Sequence, residues 1–151
     1  MNELKLNKLD LKHFSEFGQK LGQKLKGGEV FELVSDLGGG KTTLTKYIVN
    51  GAESSDLVSS PSFTICNEYQ AKNFKIYHFD FYRLVDPGII SLELQEILDT
   101  KQKSVVIVEW PESVLKLLPK NHLKIVINIV GEGLRNIELF YPNKLNYLVK
   151  D

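Results

Sequence analysis

With one cysteine in 151 residues, Cys66, the chain cannot make an internal disulfide, and at this length it needs none to hold a core together. A reducing cytoplasmic setting is the expectation. No stretch approaches the ~20 consecutive apolar residues that span a bilayer, so a membrane protein is not expected. The charged opening Met1-Asn2-Glu3-Leu4-Lys5 offers no apolar run for a leader. Net charge is lacking too: 19 Lys and Arg balance 19 Asp and Glu. That balance argues against a free-standing nucleic-acid binder, because such affinity rests on neutralising phosphates, so any RNA role must be indirect. Arginine is scarce, with only Arg83 and Arg135 present.

What is there fits one domain over residues 1–151, with 42% hydrophobic and 25% charged residues. Leu11, Phe14, Phe17, Leu21 and Leu25 recur at steps of three and four, which predicts a helix from Asp10 to Lys26, ended by Gly27 and Gly28. Gly18 and Gly22 inside it suggest close packing, since each costs about 1 kcal/mol against alanine. Glu29 to Val34 reads as a strand, a glycine-rich loop follows, and Lys41 to Asn50 is helical. Period-two alternation from Ser62 to Leu84 predicts an antiparallel hairpin turning at Gln70-Ala71-Lys72-Asn73. Asp86-Pro87-Gly88 reads as a turn, Ser91 as the cap of a helix running to about Asp99, and Val105 to Val108 as a central buried strand. Pro111 opens a short helix, and a second hairpin spans Leu123 to Val130 and Leu134 to Tyr141. The fold class expected is α/β: a P-loop NTPase-like three-layer fold whose mixed sheet contains antiparallel hairpins.

Ser35-Asp36-Leu37-Gly38-Gly39-Gly40-Lys41-Thr42-Thr43 lies between the first strand and its helix, and matches G-x-x-x-x-G-K-[ST] everywhere but its first position. Consecutive glycines let the backbone fold closely round a polyphosphate with amide hydrogens pointing inward, and the helix adds the positive end of its dipole. Asp36, Leu37, Gly38, Gly39, Gly40, Lys41, Thr42 and Thr43 are therefore the expected nucleotide-binding residues. Lys41 would neutralise the β and γ phosphates, and the Thr42 hydroxyl is placed for Mg²⁺. Serine at position 35 narrows the loop if that position needs a glycine-like φ, yet leaves the amide donors in place.

The second metal-side group expected is Glu109, a carboxylate just beyond the apolar run Val105 to Val108. Trp110 then falls beside the site, either against the nucleotide or as core packing. His78, Asp80 and Tyr82 share one strand face, and Tyr77, Phe79 and Phe81 the other. Asp80 is flanked by apolar side chains and wants a partner, which suits a role near magnesium or the attacking water, or a structural ion pair. His78 reads as a structural histidine. Arg135 is a further possible phosphate contact or a packing residue.

The reaction class stays open between ATP hydrolysis, a nucleotide-sensing binding module and a small-molecule kinase. Kinases of this fold gather several arginines over the transferred phosphoryl group, and two are too few. A permuted GTPase could draw on Asn7-Lys8-Leu9-Asp10, but this run precedes the loop and no Asp-x-x-Gly follows Thr43. Hydrolysis that a partner speeds up is favoured.

Five motifs carry a resemblance: Asp36-Leu37-Gly38-x-Gly40-Lys41-Thr42-Thr43, Ser60-Pro61-Ser62-Phe63-Thr64, Asn67-Glu68-Tyr69, His78-Phe79-Asp80-x-Tyr82-Arg83-Leu84 and Val108-Glu109-Trp110-Pro111-Glu112. In order and spacing they resemble the bacterial TsaE family, also called YjeE, over Phe17 to Ile137. The resemblance implies a cytoplasmic P-loop ATPase needed to make N6-threonylcarbamoyladenosine at position 37 of tRNAs reading codons that start with adenine. It also implies the partner proteins TsaB and TsaD, the latter transferring the group that TsaC-type enzymes make, so that tRNA is met only through the complex. Carried over residue by residue, it implies Thr42 and Glu109 as Mg²⁺ ligands, Lys41 as the phosphate lysine, Asp80 as a site aspartate, and a mobile switch around Pro61 to Thr64. The family usually has glycine where Ser35 stands, alanine or serine where Gly39 stands, and threonine at Ser62.

Overall fold

The structure, a computed structural model, describes residues 1–36, 38–61, 66–82, 88–100 and 102–151. The elements run β1 (Asn2–Leu9), α1 (Leu11–Gln23), β2 (Val30–Ser35), α2 (Lys41–Gly51), β3 (Cys66–Gln70), β4 (Lys75–Asp80), α3 (Ile89–Asp99), β5 (Ser104–Glu109), β6 (Leu123–Gly131), β7 (Leu134–Tyr141) and α4 (Asn146–Val149), with short 3-10 turns at Pro111–Ser113, Leu115–Leu117 and Asn143–Leu145. The strands form one seven-stranded sheet in the order β1-β7-β6-β2-β5-β4-β3. Parallel pairing holds its centre, β6 to β2 to β5 to β4, and antiparallel pairs add β3, β7 and β1 at the edges. The mixed sheet with hairpins is as the residue pattern implied.

Two apolar clusters show why the sheet sits between layers. Ile76, Val105 and Ile107 point into a cluster with Phe14, Leu21, Leu44 and Ile48 of α1 and α2, whereas Val106, Val108 and Phe79 join Leu94 of α3 and Val114. A strand buried on both faces has no polar alternation to keep, which accounts for the unbroken run in β5.

Two features depart from the pattern read in the sequence, the first strand and the start of α3. The chain begins with a strand: in β1, Leu4 and Leu6 pack against the core while Glu3 and Lys5 face water, and the register runs from Asn2 opposite Tyr141 to Leu9 opposite Arg135. With so few apolar residues and a partner more than a hundred positions away, it left little local signal. Asn7 to Asp10 is no base-reading loop, in keeping with its place ahead of the glycine-rich loop, but the end of β1 and the cap of α1, where Asp10 Oδ1 accepts from the His13 amide at 2.9 Å. Ser91 is no cap either: α3 starts at Ile89, and the Ser91 hydroxyl donates to the Gly88 carbonyl at 2.7 Å from inside the first turn. Asp86 and Pro87 of the expected turn lie outside the described residues, as do Ser62 to Ile65 of the expected hairpin.

The internal glycines of α1 mark where the two helices touch. A β-carbon on Gly22 would sit 2.0 Å from the Ile48 carbonyl oxygen and 2.8 Å from the Ala52 nitrogen, both backbone atoms that cannot swing aside. Two effects compete in Gly22→Ala: about 1 kcal/mol of gained helix propensity against about 1–3 kcal/mol for overpacking that separates the helices. At this contact distance the clash wins, so the melting temperature should fall by roughly 3–8 °C. An unchanged or raised value in a thermal melt would show that the helices do not meet there.

Candidate active site

The first strand of the parallel centre delivers the loop. Ser35 ends β2 and Lys41 begins α2, with Gly38 at φ +77° and Gly40 at φ +102° between them. Those left-handed values are what reserve the two positions for glycine. The Gly39 amide closes the turn on the Asp36 carbonyl at 2.9 Å, and the first helical bond runs from the Leu44 amide to the Gly40 carbonyl at 2.8 Å. Among the described residues no side chain caps this helix, which leaves its N-terminus open to an anion.

Lys41 lies folded over the loop, 6% exposed. Its Nζ donates to Ser35 Oγ at 2.8 Å and approaches the carbonyl oxygens of Asp36 at 3.3 Å and Ser35 at 3.4 Å. The Trp110 ring covers it at 4.2 Å, a cation–π contact. Burial pulls the lysine pKa below its ordinary value, opposed by Glu109, Asp80 and Asp36.

Asp80 and Glu109 end β4 and β5 and stand opposite each other in the parallel register, so both carboxylates emerge at the edge where the loop begins. Thr42 Oγ1 donates to Glu109 Oε1 at 3.2 Å, bringing the first turn of α2 onto the end of β5. Burial raises the Asp80 pKa and the neighbouring Glu109 charge adds to this, while the Tyr82 amide, donating to Oδ1 at 2.9 Å, works against it. Trp110 follows with φ +53°, a left-handed backbone for a bulky residue, and its ring centroid lies 4.8 Å from that of Tyr82. Such a conformation costs on the order of 1–3 kcal/mol and persists only where its surroundings enforce it.

A cavity of about 230 Å³ gathers Gly38, Gly39, Gly40, Lys41, Thr42, Thr43, Asp80, Glu109 and Trp110, together with Ser60. Leu37 lies outside the described residues, as does Arg83. Asp36 is exposed and contributes its carbonyl to the turn, not a side chain to the cavity. Arg135 on β7 also stands apart from the lining: its guanidinium lies 4.8 Å over the Phe14 ring, and its Nε comes within 3.2 Å of where a Gly40 β-carbon would be. It braces the loop from behind. Ser60 was not anticipated as a cavity residue, and only its place beside Pro61 in a recognisable run pointed to it. A larger cleft of about 380 Å³ lies at the other edge of the sheet between the ends of α1 and α2, away from these groups.

The donor set bears on a metal. Thr42 hydroxyl and the Glu109 and Asp80 carboxylates are all hard oxygens, which suits magnesium more than a soft metal. Among the described residues no group of three or more His, Cys, Asp or Glu could hold a metal by itself. That deficit fits an ion that takes its remaining oxygens from phosphates and water.

Ser35 occupies space that Gly39 leaves: a β-carbon on Gly39 would lie 2.4 Å from Ser35 Oγ and 2.6 Å from Ser35 Cβ, so only one of the two positions can carry a side chain. Since the Ser35 hydroxyl also holds Lys41 down on the loop, Ser35→Gly should leave nucleotide affinity unchanged or up to about tenfold tighter, one such charged contact being worth on the order of 1.5 kcal/mol. Isothermal titration showing a large loss would mean that the serine supports binding.

A central parallel sheet, a glycine loop from strand to helix, and two carboxylates at the adjoining strand ends define a P-loop NTPase-like α/β protein. Within that class the chain belongs to the TsaE family: the model of the Threonylcarbamoyl adenosine biosynthesis protein TsaE matches residues 9–137. This places it among proteins of tRNA threonylcarbamoyladenosine biosynthesis. It is 39% identical over 112 residues to the tRNA threonylcarbamoyladenosine biosynthesis protein TsaE of Bacillus subtilis, covering 74% of this chain and 69% of that one. The protein of the same name from Borreliella burgdorferi is 34% identical over 134 residues, covering 85% and 93%. Among solved structures, Bacillus subtilis YdiB superposes with a TM-score of 0.77 at 29% identity, over 97% of this chain and 91% of that one.

Proposed function

We propose that residues 1–151 form one Mg²⁺-dependent ATP hydrolase domain that serves threonylcarbamoyladenosine formation at position 37 of tRNAs without modifying RNA itself. The observation that carries this reading is the convergence of Lys41, Thr42, Asp80 and Glu109 on one cavity, with Thr42 Oγ1 3.2 Å from Glu109 Oε1. Backbone amides of the loop and the first helical turn, other than that of Gly39, which closes the turn on Asp36, would hold the triphosphate together with the Lys41 ammonium. Thr42 and Glu109 would hold magnesium, which when bound neutralises charge developing on the phosphates. Asp80, half-buried beside Glu109, is positioned to orient the attacking water or a water of the metal. Its burial-raised pKa favours accepting a proton over leaving the carboxylate indifferent.

Trp110 stacks over Lys41 and would have to yield, or turn its face to the nucleotide, when phosphate draws the ammonium upward. Arg135 is placed to stiffen Gly40 behind the loop or to reach a nucleotide that extends past it. No arginine among the described residues lines the cavity, and the chain has only two in all, so slow turnover until a partner contributes charge or orders a loop is the expected behaviour. TsaB and TsaD are the proposed partners, the cytoplasm the proposed compartment, and tRNA is met only through them; the even charge balance fits that division of labour.

Single-turnover hydrolysis with the partner proteins tests the reading, comparing the wild type with Lys41→Ala and Glu109→Ala. Label released from the γ position into inorganic phosphate by the wild type alone supports it. Equal turnover in all three would leave a nucleotide-dependent binding module, and label appearing on a metabolite would make the protein a kinase.

A further inference from the structure

The polar contacts around Glu109 do not stop at the cavity wall. Glu109 is 2% exposed, and while Oε1 accepts from Thr42, Oε2 lies 3.6 Å from Nε2 of His78, which is wholly buried. That Nε2 has no hydrogen-bond partner among the described residues. On the other side of the ring, Nδ1 lies 3.2 Å from the Tyr69 hydroxyl, which is also 3.2 Å from the Ser59 carbonyl oxygen. Ser59 therefore stands one residue before Ser60, which lines the cavity.

We propose that His78 is a positioning residue that sets the orientation of the Glu109 carboxylate for a divalent cation and ties it to the 54–61 segment through Tyr69. This rests on the reading of the cavity as a magnesium–nucleotide site. The logic is in the count of protons. Tyr69 has one hydroxyl hydrogen to give. Given to His78 Nδ1, it places the imidazole proton on Nε2, aimed at Glu109 Oε2, and among the described residues the Ser59 carbonyl then keeps the Asn67 side-chain amide, at 3.1 Å. Given to Ser59, it anchors the segment and turns a bare Nε2 lone pair toward the carboxylate. Whatever moves Glu109 toward a cation thus shifts which end Tyr69 serves. Asp56, whose Oδ2 accepts from the Gln70 amide at 2.6 Å, secures the segment independently, so Ser59 can change partners without the segment detaching from β3.

The test uses the full-length protein and Mn²⁺ as a magnesium stand-in. Mn²⁺ affinity is read by electron paramagnetic resonance with a non-hydrolysable ATP analogue, and analogue affinity without metal by calorimetry. His78→Leu should weaken Mn²⁺ about tenfold, the lower end of what outer-shell changes cost, and leave metal-free analogue binding within twofold. His78→Gln, which keeps a donor near the Nε2 position, should recover most of the loss. Tyr69→Phe covers the case of a His78 variant that does not fold, because it deletes one oxygen and no packing volume. Chymotryptic cleavage after Leu57, which is 94% exposed, should slow at least threefold when Mn²⁺ and analogue bind the wild type, and should not respond in Tyr69→Phe. Mn²⁺ affinity of His78→Leu within twofold of wild type overturns the proposal, as do equal losses in the Leu and Gln variants or an undiminished cleavage response in Tyr69→Phe. A wild type that binds no Mn²⁺ with the analogue overturns the magnesium–nucleotide reading itself, and this proposal with it.

Discussion

Lys41→Ala should weaken ATP binding by about a hundredfold or more. Among the described residues the ammonium is the only cation in the cavity lining, and its loss removes charge-assisted contacts to the phosphates worth on the order of 1.5–3 kcal/mol each, where 1.4 kcal/mol is a factor of ten. The magnitude is tempered by what Lys41 leaves behind. In the present arrangement it donates to Ser35 Oγ and lies under the Trp110 ring, so ATP must exchange those contacts for its own. Trp110 is the sole tryptophan in the chain, and its emission should change in the variant even before nucleotide is added. Calorimetric titration measures the affinity, and a loss under threefold would mean that phosphate is held elsewhere.

Glu109→Gln is the second large effect, and it should act on turnover more than on binding. The amide keeps the shape of the side chain and an oxygen to accept from Thr42, so the buried pair survives while the negative charge does not. Hydrolysis should fall by about 10² to 10³, the range for removing one electrostatic contributor from a site. Affinity for ATP in the absence of divalent cation should stay within a few-fold, and the advantage that magnesium confers should shrink. Phosphate release under single-turnover conditions with partners present gives the first quantity and calorimetry with and without magnesium the second. Undiminished hydrolysis would remove Glu109 from the metal side of the mechanism.

The loop, its flanking strand and helix, and the carboxylate after Val108 were legible from the chain because each is a local pattern. Three glycines before Lys-Thr-Thr can be recognised without knowing what surrounds them, and an apolar run of four residues marks a strand covered on both faces. β1 was not legible because only Leu4, Leu6 and Leu9 pack it against the core and its partner β7 lies at the far end of the chain. Ser91 misled because serine is favoured at helix starts, yet here Gly88 takes that place and Ile89 is already helical.

At the site the same division holds. The spacing placed Asp80, Lys41 and Glu109 together, but it could not show that Ser35 fills the volume Gly39 vacates, or that Trp110 covers Lys41. His78 appeared as a structural histidine because its contacts, to Tyr69 on one strand and Glu109 on another, exist only once the sheet has formed. Arg135 shared the strand-end edge with the loop but came to rest behind Gly40, against Phe14.

The claim on which the rest depends is that this loop grips a triphosphate together with a divalent cation. Isothermal titration of the purified protein with ATP, with magnesium and then with the metal chelated, tests it most directly. The account predicts one site per chain, binding that tightens when magnesium is present, and loss of that binding in Lys41→Ala; absence of binding heat from the wild type, or affinity identical in the variant, would contradict it.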